Sequence, residues 1–166
     1  MWNVNSKELE DLLNQSSTSR PKKSKNQMPR SALKNRESGL WQIISQGLKR
    51  SERTIETTRL ESWAIPGVPD VLLCSEGGVF SFLELKVTKG RVNKISLSPH
   101  QCAWLSRHSN GPCFIVVRDS SLDISVFAGS DAVALRMDGV AAVSPLAVFQ
   151  EPYDWQEFFR LTSPVE

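Results

Sequence analysis

A chain of 166 residues, 40% hydrophobic and 23% charged, has the size and balance of one globular domain, and it can bury a core without disulfides or a structural metal. A net charge of +2 does not by itself announce a nucleic-acid partner, and no apolar run approaches the length of a membrane span. Three widely spaced cysteines, Cys74, Cys102 and Cys113, form no CxxC pair; they argue against a zinc site and fit small buried hydrophobes in a reducing compartment. The start, MWNVNSKELEDLL, lacks the basic and apolar stretches of a signal peptide, so the chain is expected to be cytoplasmic.

Residues 6 to 14 could form a short helix. From Leu12 to Arg36 there is no acidic residue, but there are Arg20, Lys22, Lys23, Lys25, Arg30, Lys34 and Arg36. This polar, proline-containing stretch predicts a disordered basic arm over 1–35, suited to a polyanion. From Glu37 the pattern changes. Leu40, Ile43, Ile44 and Leu48 follow helical spacing, with Trp41 beside them and Glu37 near the same inward face. RTIETTRLESW, residues 53–63, predicts a strand, and IPGVP, residues 65–69, a break. DVLLC at 70–74, a SEGG turn at 75–78 and a strand over 79–87 predict a hairpin. In LSPHQCAWLSRHSNG, Ser98 is a helix N-cap, Pro99 suits the first position and Gln101 completes a capping box; Asn110-Gly111 ends the helix. CFIVVR at 113–118 predicts a buried strand, residues 123–129 another, residues 130–137 a short helix and residues 152–161 a terminal helix. The expected fold is an α/β domain over 36–150 with a mixed central sheet flanked by helices, followed by a C-terminal helix and tail over 151–166.

The hairpin carries an oddity. Among the Val, Leu and Phe of GVPDVLLCSEGGVFSFLELKV stand Asp70, Glu84 and Lys86, charges that a core ordinarily rejects. Strand alternation puts Phe80, Phe82, Glu84 and Lys86 on one face, with Glu84 and Lys86 roughly 7 Å apart. Folding the hairpin brings Asp70 near them. Two carboxylates packed together repel, and burial disfavours both charges. A divalent cation resolves the conflict: Mg²⁺ takes oxygen ligands and is commonly held by one or two carboxylates plus waters and phosphate. An ammonium beside it could position a water or stabilise charge building on a phosphate.

Pro69-Asp70, followed by Glu84-Leu85-Lys86, resembles the PD-(D/E)XK nuclease motif. The longer string GVPDV…GGVFSFLELKV…LSPHQCAW…GPCFIVVR is similar to the VRR-NUC group and to phage and archaeal Holliday-junction resolvases. The resemblance covers about half the chain. It implies a restriction-endonuclease-like αβββαβ core and an Mg²⁺-dependent DNA endonuclease, with Mn²⁺ as substitute metal, leaving 5′-phosphate ends. It implies that Asp70, Glu84 and the backbone carbonyl of Leu85 hold the metal, that Lys86 orients the attacking water, that Glu37 supports the metal site, and that Gln101 sits near metal or phosphate. The substrate class is duplex or branched DNA in phage or viral replication, recombination or repair, within a bacterial or phage-infected cell. Related resolvases act as homodimers.

Each residue also has a plainer reading. Asp70 could be a turn residue after Pro69, Glu37 a carboxylate favoured by the helix dipole, and Gln101 only a cap. Glu56 and Glu61 compete with Glu37 for the supporting role. Lys89, Arg91 and Lys94, in the loop after the motif, are candidates for contacts to the nucleic-acid backbone. His100 and His108 read as surface residues and Trp104 as core. Two alternatives stay open: a catalytically silent DNA-binding module of the same fold, and an interaction protein with no nucleic-acid role.

Overall fold

The computed structural model describes residues 36–60, 65–88 and 94–165. The basic arm, Glu61, Lys89 and Arg91 lie outside them. Among the described residues the chain is an α/β protein with a six-stranded mixed sheet and four α-helices: α1 (Glu37–Leu48), β1 (Ile55–Arg59), β2 (Val71–Ser75), β3 (Phe80–Val87), α2 (Pro99–Arg107), β4 (Cys113–Arg118), β5 (Ile124–Ala128), α3 (Ala132–Met137), β6 (Ala147–Phe149) and α4 (Trp155–Thr162). None of the described helices is long and apolar enough to cross a membrane.

The strands lie in sequence order across the sheet, all neighbours antiparallel except β3 and β4. A parallel pair needs a crossover, and α2 supplies it. β4 is buried along its whole length, as CFIVVR requires of a strand covered on both faces. One face of the sheet, with Val71, Leu73, Leu83, Leu85 and Val116, packs against Leu40 and Ile44 of α1 and Trp155, Phe158 and Phe159 of α4. The opposite face, with Ile115, Val117 and Phe127, packs against Cys102 and Leu105 of α2 and Ala132 and Leu135 of α3.

Helix α4 belongs to the same core as α1. Its Thr162 carbonyl accepts from Ser81 Oγ on β3 at 2.6 Å, and the Ser163 carbonyl accepts from the Arg53 guanidinium at 2.9 Å. The indole of Trp155 lies so close to Gly47 that a Cβ there would fall 2.1 Å from the ring. Gly47→Ala is therefore expected to lower stability by about 1–3 kcal/mol through overpacking, measured by urea denaturation; an unchanged midpoint would show that α4 is not pressed on α1.

The element types follow the pattern of the sequence. The strand at 113–118 has the expected bounds and β2 is displaced by one residue, to Val71–Ser75, while β1, β3 and β5 are shorter than the predicted windows; β1 stops at Arg59, opposite Val71, where its partner strand ends. β6 was not expected. Three residues carry no usable periodicity, and Ala147–Phe149 becomes a strand only because the edge of β5 is there to pair with it.

Candidate active site

The antiparallel register pairs Val71 with Leu83, so one step further sets Asp70 opposite Glu84. Even-numbered residues of β3 direct their backbone groups to β4: Phe82 N–H bonds the Pro112 carbonyl, and Thr88 N–H the Arg118 carbonyl. Odd-numbered residues face β2. Leu85 lies two residues beyond Leu83, the last to pair with that strand, and its N–H donates to Asp70 Oδ2 at 2.9 Å. The N–H and C=O of a strand residue point to the same edge, so the Leu85 carbonyl also lies on the Asp70 side. Its side chain is in the core. The Asp70 backbone is fixed as well, its carbonyl accepting from Leu60 N–H at 2.9 Å.

The alternation of β3 places Glu84 and Lys86 on the face opposite Leu83 and Leu85. Glu84 is fully buried and Lys86 is 6% exposed. Glu84 Oε1 accepts from Lys86 Nζ at 2.7 Å and from the Gln101 amide nitrogen. Gln101 performs two tasks at once. Its Oε1 accepts from Ser98 N–H at 2.8 Å, and its own N–H bonds Ser98 Oγ at 3.1 Å. The capping box thus holds the amide oxygen on the backbone, and the NH₂ is left to face Glu84. Gly67 keeps the loop before Asp70 against this same helix end. Its φ is +92°, and a Cβ would fall 2.3 Å from the His100 carbonyl oxygen, so both backbone conformation and space require glycine there.

Glu37, at the first turn of α1, accepts from Lys86 Nζ at 3.3 Å with its side chain about half exposed. The ammonium therefore bridges one hidden and one open carboxylate. Glu84 Oε2 is buried with no hydrogen-bond partner among the described residues. So is the hydroxyl of Thr88, which follows Glu84 and Lys86 along the same face; strand alternation is the one signal for it in the sequence, because a threonine at a strand end carries no charge to single it out.

The charges are lopsided. Burial is the main cause that pushes the Glu84 carboxyl up to about 7; Lys86 opposes it, while Asp70 and Glu37 add to it. For Lys86, burial favours the neutral amine, but Glu84, Glu37 and Asp70 outweigh it and hold the ammonium above its ordinary range. One cation faces three acids, so the cation is content and the most deeply buried acid is not.

Stability should follow. Glu84 binds its proton more tightly folded (about 7) than unfolded (4.5). Its favourable contribution is complete below the lower value and is lost as pH rises through the upper one. Wild type should thus lose on the order of 3 kcal/mol between these limits relative to Glu84→Gln, read by denaturant titration at each pH. Parallel curves for the two proteins would show that Glu84 carries no such strain.

The other candidates fall elsewhere. Glu56 is exposed on β1 opposite Cys74, at the strand end remote from Asp70. Lys94 is exposed, as are His100 and His108. Trp104 is partly buried, edge-on to Phe82 and stacked on His108. Among the described residues no group of three His, Cys, Asp or Glu side chains is arranged as a metal cage; at this sheet end the Lys86 ammonium lies between Glu84 and Glu37. A groove of about 790 Å³ lies between α1 and residues 151–156, lined by Ile43, Arg50, Tyr153 and Trp155 among others. No member of the charged cluster lines it, so it is a cleft of the α1–α4 packing and no part of this site.

No protein-family model matches the chain, and no curated protein matches it in sequence.

Proposed function

We propose that the chain is a divalent-metal-dependent DNA endonuclease with a restriction-endonuclease-like αβββαβ core, acting on duplex or branched DNA. The observation that carries this reading is the buried carboxylate of Glu84, with one oxygen held by Lys86 and Gln101 and the other unpartnered, next to Asp70 at the end of a sheet. A purely structural Glu84 would have both oxygens satisfied.

The donor set fits a hard cation. Asp70, Glu84 and the Leu85 carbonyl offer only oxygen, and the remaining positions would go to water and phosphate, as Mg²⁺ prefers, with Mn²⁺ a natural substitute. When bound, such a cation acidifies water and polarises a phosphoryl oxygen. The residues of the chain supply the rest. Lys86 holds or orients the attacking water with an ammonium kept charged by three acids. Gln101 locks the Glu84 carboxylate in one rotamer. Glu37 holds the far side of the Lys86 ammonium, and it is the carboxylate exposed enough to join a second cation. Lys94, with Lys89 and Arg91 of the preceding loop, would contact the nucleic-acid backbone.

The test is a cleavage assay on supercoiled plasmid, flap and four-way-junction DNA, with Mg²⁺ and with EDTA. The nuclease reading expects Mg²⁺-dependent cuts on at least one substrate. Salt-sensitive DNA binding without cleavage, identical in wild type and Lys86→Ala, would identify a silent binding module. Absence of salt-sensitive binding would identify an interaction protein.

A further inference from the structure

Arg59, the last residue of β1, has no role in the site described above. It is next to that site in the chain: the N–H of the following residue, Leu60, bonds the Asp70 carbonyl. Along β1, Ile55, Thr57 and Arg59 share the face that looks onto α1, where Ile55 joins the core with Leu40 and Ile44. Arg59 crosses to that helix and sets its guanidinium over the Trp41 indole, 5.8 Å from the ring centroid. Trp41 is one helical turn along from Glu37, on the same stripe of α1, and Glu37 is bonded to Lys86. Arg59 thus stands on the α1 flank of the charged cluster, separated from Glu37 by a single turn.

Its electrostatic situation is unfinished. One guanidinium nitrogen, Nη1, is buried without a hydrogen-bond partner among the described residues. The nearest described acid on α1, Glu37, is already engaged by Lys86. A buried donor with no acceptor opposes folding, and the cation–π contact with the indole offsets only part of that. What the contact does provide is a guanidinium held in one place, whose N–H groups other than Nη1 can donate to a phosphate. The side chain as a whole is only partly buried, so it can still be reached from solvent.

We propose that Arg59, held against Trp41, binds a backbone phosphate of the nucleic acid on the α1 side of the cleavage site. This rests on the nuclease reading and adds to it a phosphate contact on the α1 flank, one helical turn from the Glu37 that Lys86 holds.

The experiment measures equilibrium binding of a labelled DNA duplex in EDTA, where no cleavage intervenes, from 50 to 200 mM KCl. Arg59→Gln should weaken binding about 5- to 10-fold at 100 mM and reduce the slope of log K against log salt by about one. Arg59→Lys should keep the slope but bind more weakly than wild type, because it keeps the charge and loses the guanidinium. Trp41→Leu should weaken binding with a smaller change in slope. In steady-state cleavage Arg59→Gln should raise KM by a larger factor than it lowers kcat. Wild-type affinity and slope in Arg59→Gln, or a lowered melting temperature with an unchanged slope, would overturn the proposal and show a purely structural arginine. If wild type cleaves DNA while Arg59→Gln matches it, only the Arg59 assignment fails. If wild type neither binds with salt sensitivity nor cleaves, the nuclease reading fails and takes this assignment with it.

Discussion

Lys86→Met is expected to reduce DNA cleavage roughly 10²–10³-fold and to make folding stability steeply dependent on pH. Methionine keeps most of the lysine stem, so packing beside Glu84 changes little. The ammonium, however, is what opposes burial, Asp70 and Glu37 at the Glu84 carboxyl. Without it the Glu84 pKa rises further, and above neutrality the folded protein must either carry an unpaired buried charge or hold the proton. At pH 8 the variant should be less stable than wild type by about 3 kcal/mol, within the range for breaking a buried ion pair by removing one partner. At pH 5, where Glu84 is neutral in both proteins, most of that difference should disappear. Urea titrations at the two pH values check the stability; cleavage in Mg²⁺ checks the activity. A variant equally destabilised at both pH values would mean that lost packing, and not the charge pair, is responsible.

Asp70→Asn should separate stability from activity in the opposite direction. The asparagine oxygen can still accept the Leu85 N–H that Asp70 Oδ2 accepts at 2.9 Å, so the hairpin end stays closed. A negative charge that raises the Glu84 pKa is removed, so in the absence of metal the variant should be as stable as wild type or more stable. Yet it gives up one of two carboxylates for the cation. A metal at about a hundred times its Kd stabilises a protein that binds it by about 2.7 kcal/mol; wild type should show this rise in melting temperature with Mg²⁺ or Mn²⁺, and Asp70→Asn should not. Cleavage should fall at least about a hundredfold. An equal Mg²⁺-induced rise in both proteins would remove Asp70 from the metal site.

Much of this site was legible because it rests on local rules. Alternation alone puts Glu84 and Lys86 on one face of β3, and the SEGG turn folds the strand back so that residue 70 can come near them. The capping box fixed the start of α2, and with it the position of Gln101. Distance defeated the rest. That Gln101 turns its amide toward Glu84 depends on the crossover angle of α2, which no pattern in LSPHQCAW encodes. The link between Ser81 and the Thr162 carbonyl spans 81 positions, so nothing near the end of the chain revealed that Trp155, Phe158 and Phe159 share the core of α1. In the sequence Arg59 is one polar residue of a Thr-rich strand, because its contact with Trp41 depends on how α1 packs against β1. Lys89 and Arg91 fall outside the described residues, so of the three loop cations only Lys94 can be placed.

The most direct measurement is calorimetric titration of Mn²⁺ into the full chain at pH 8, repeated with Asp70→Asn and with Glu84→Gln. A shared cation between the acids at 70 and 84 predicts one bound ion per wild-type chain, weaker binding in both variants, and weaker wild-type binding below about pH 6, where the proton on Glu84 competes. No binding by wild type, or undiminished binding by both variants, would contradict it.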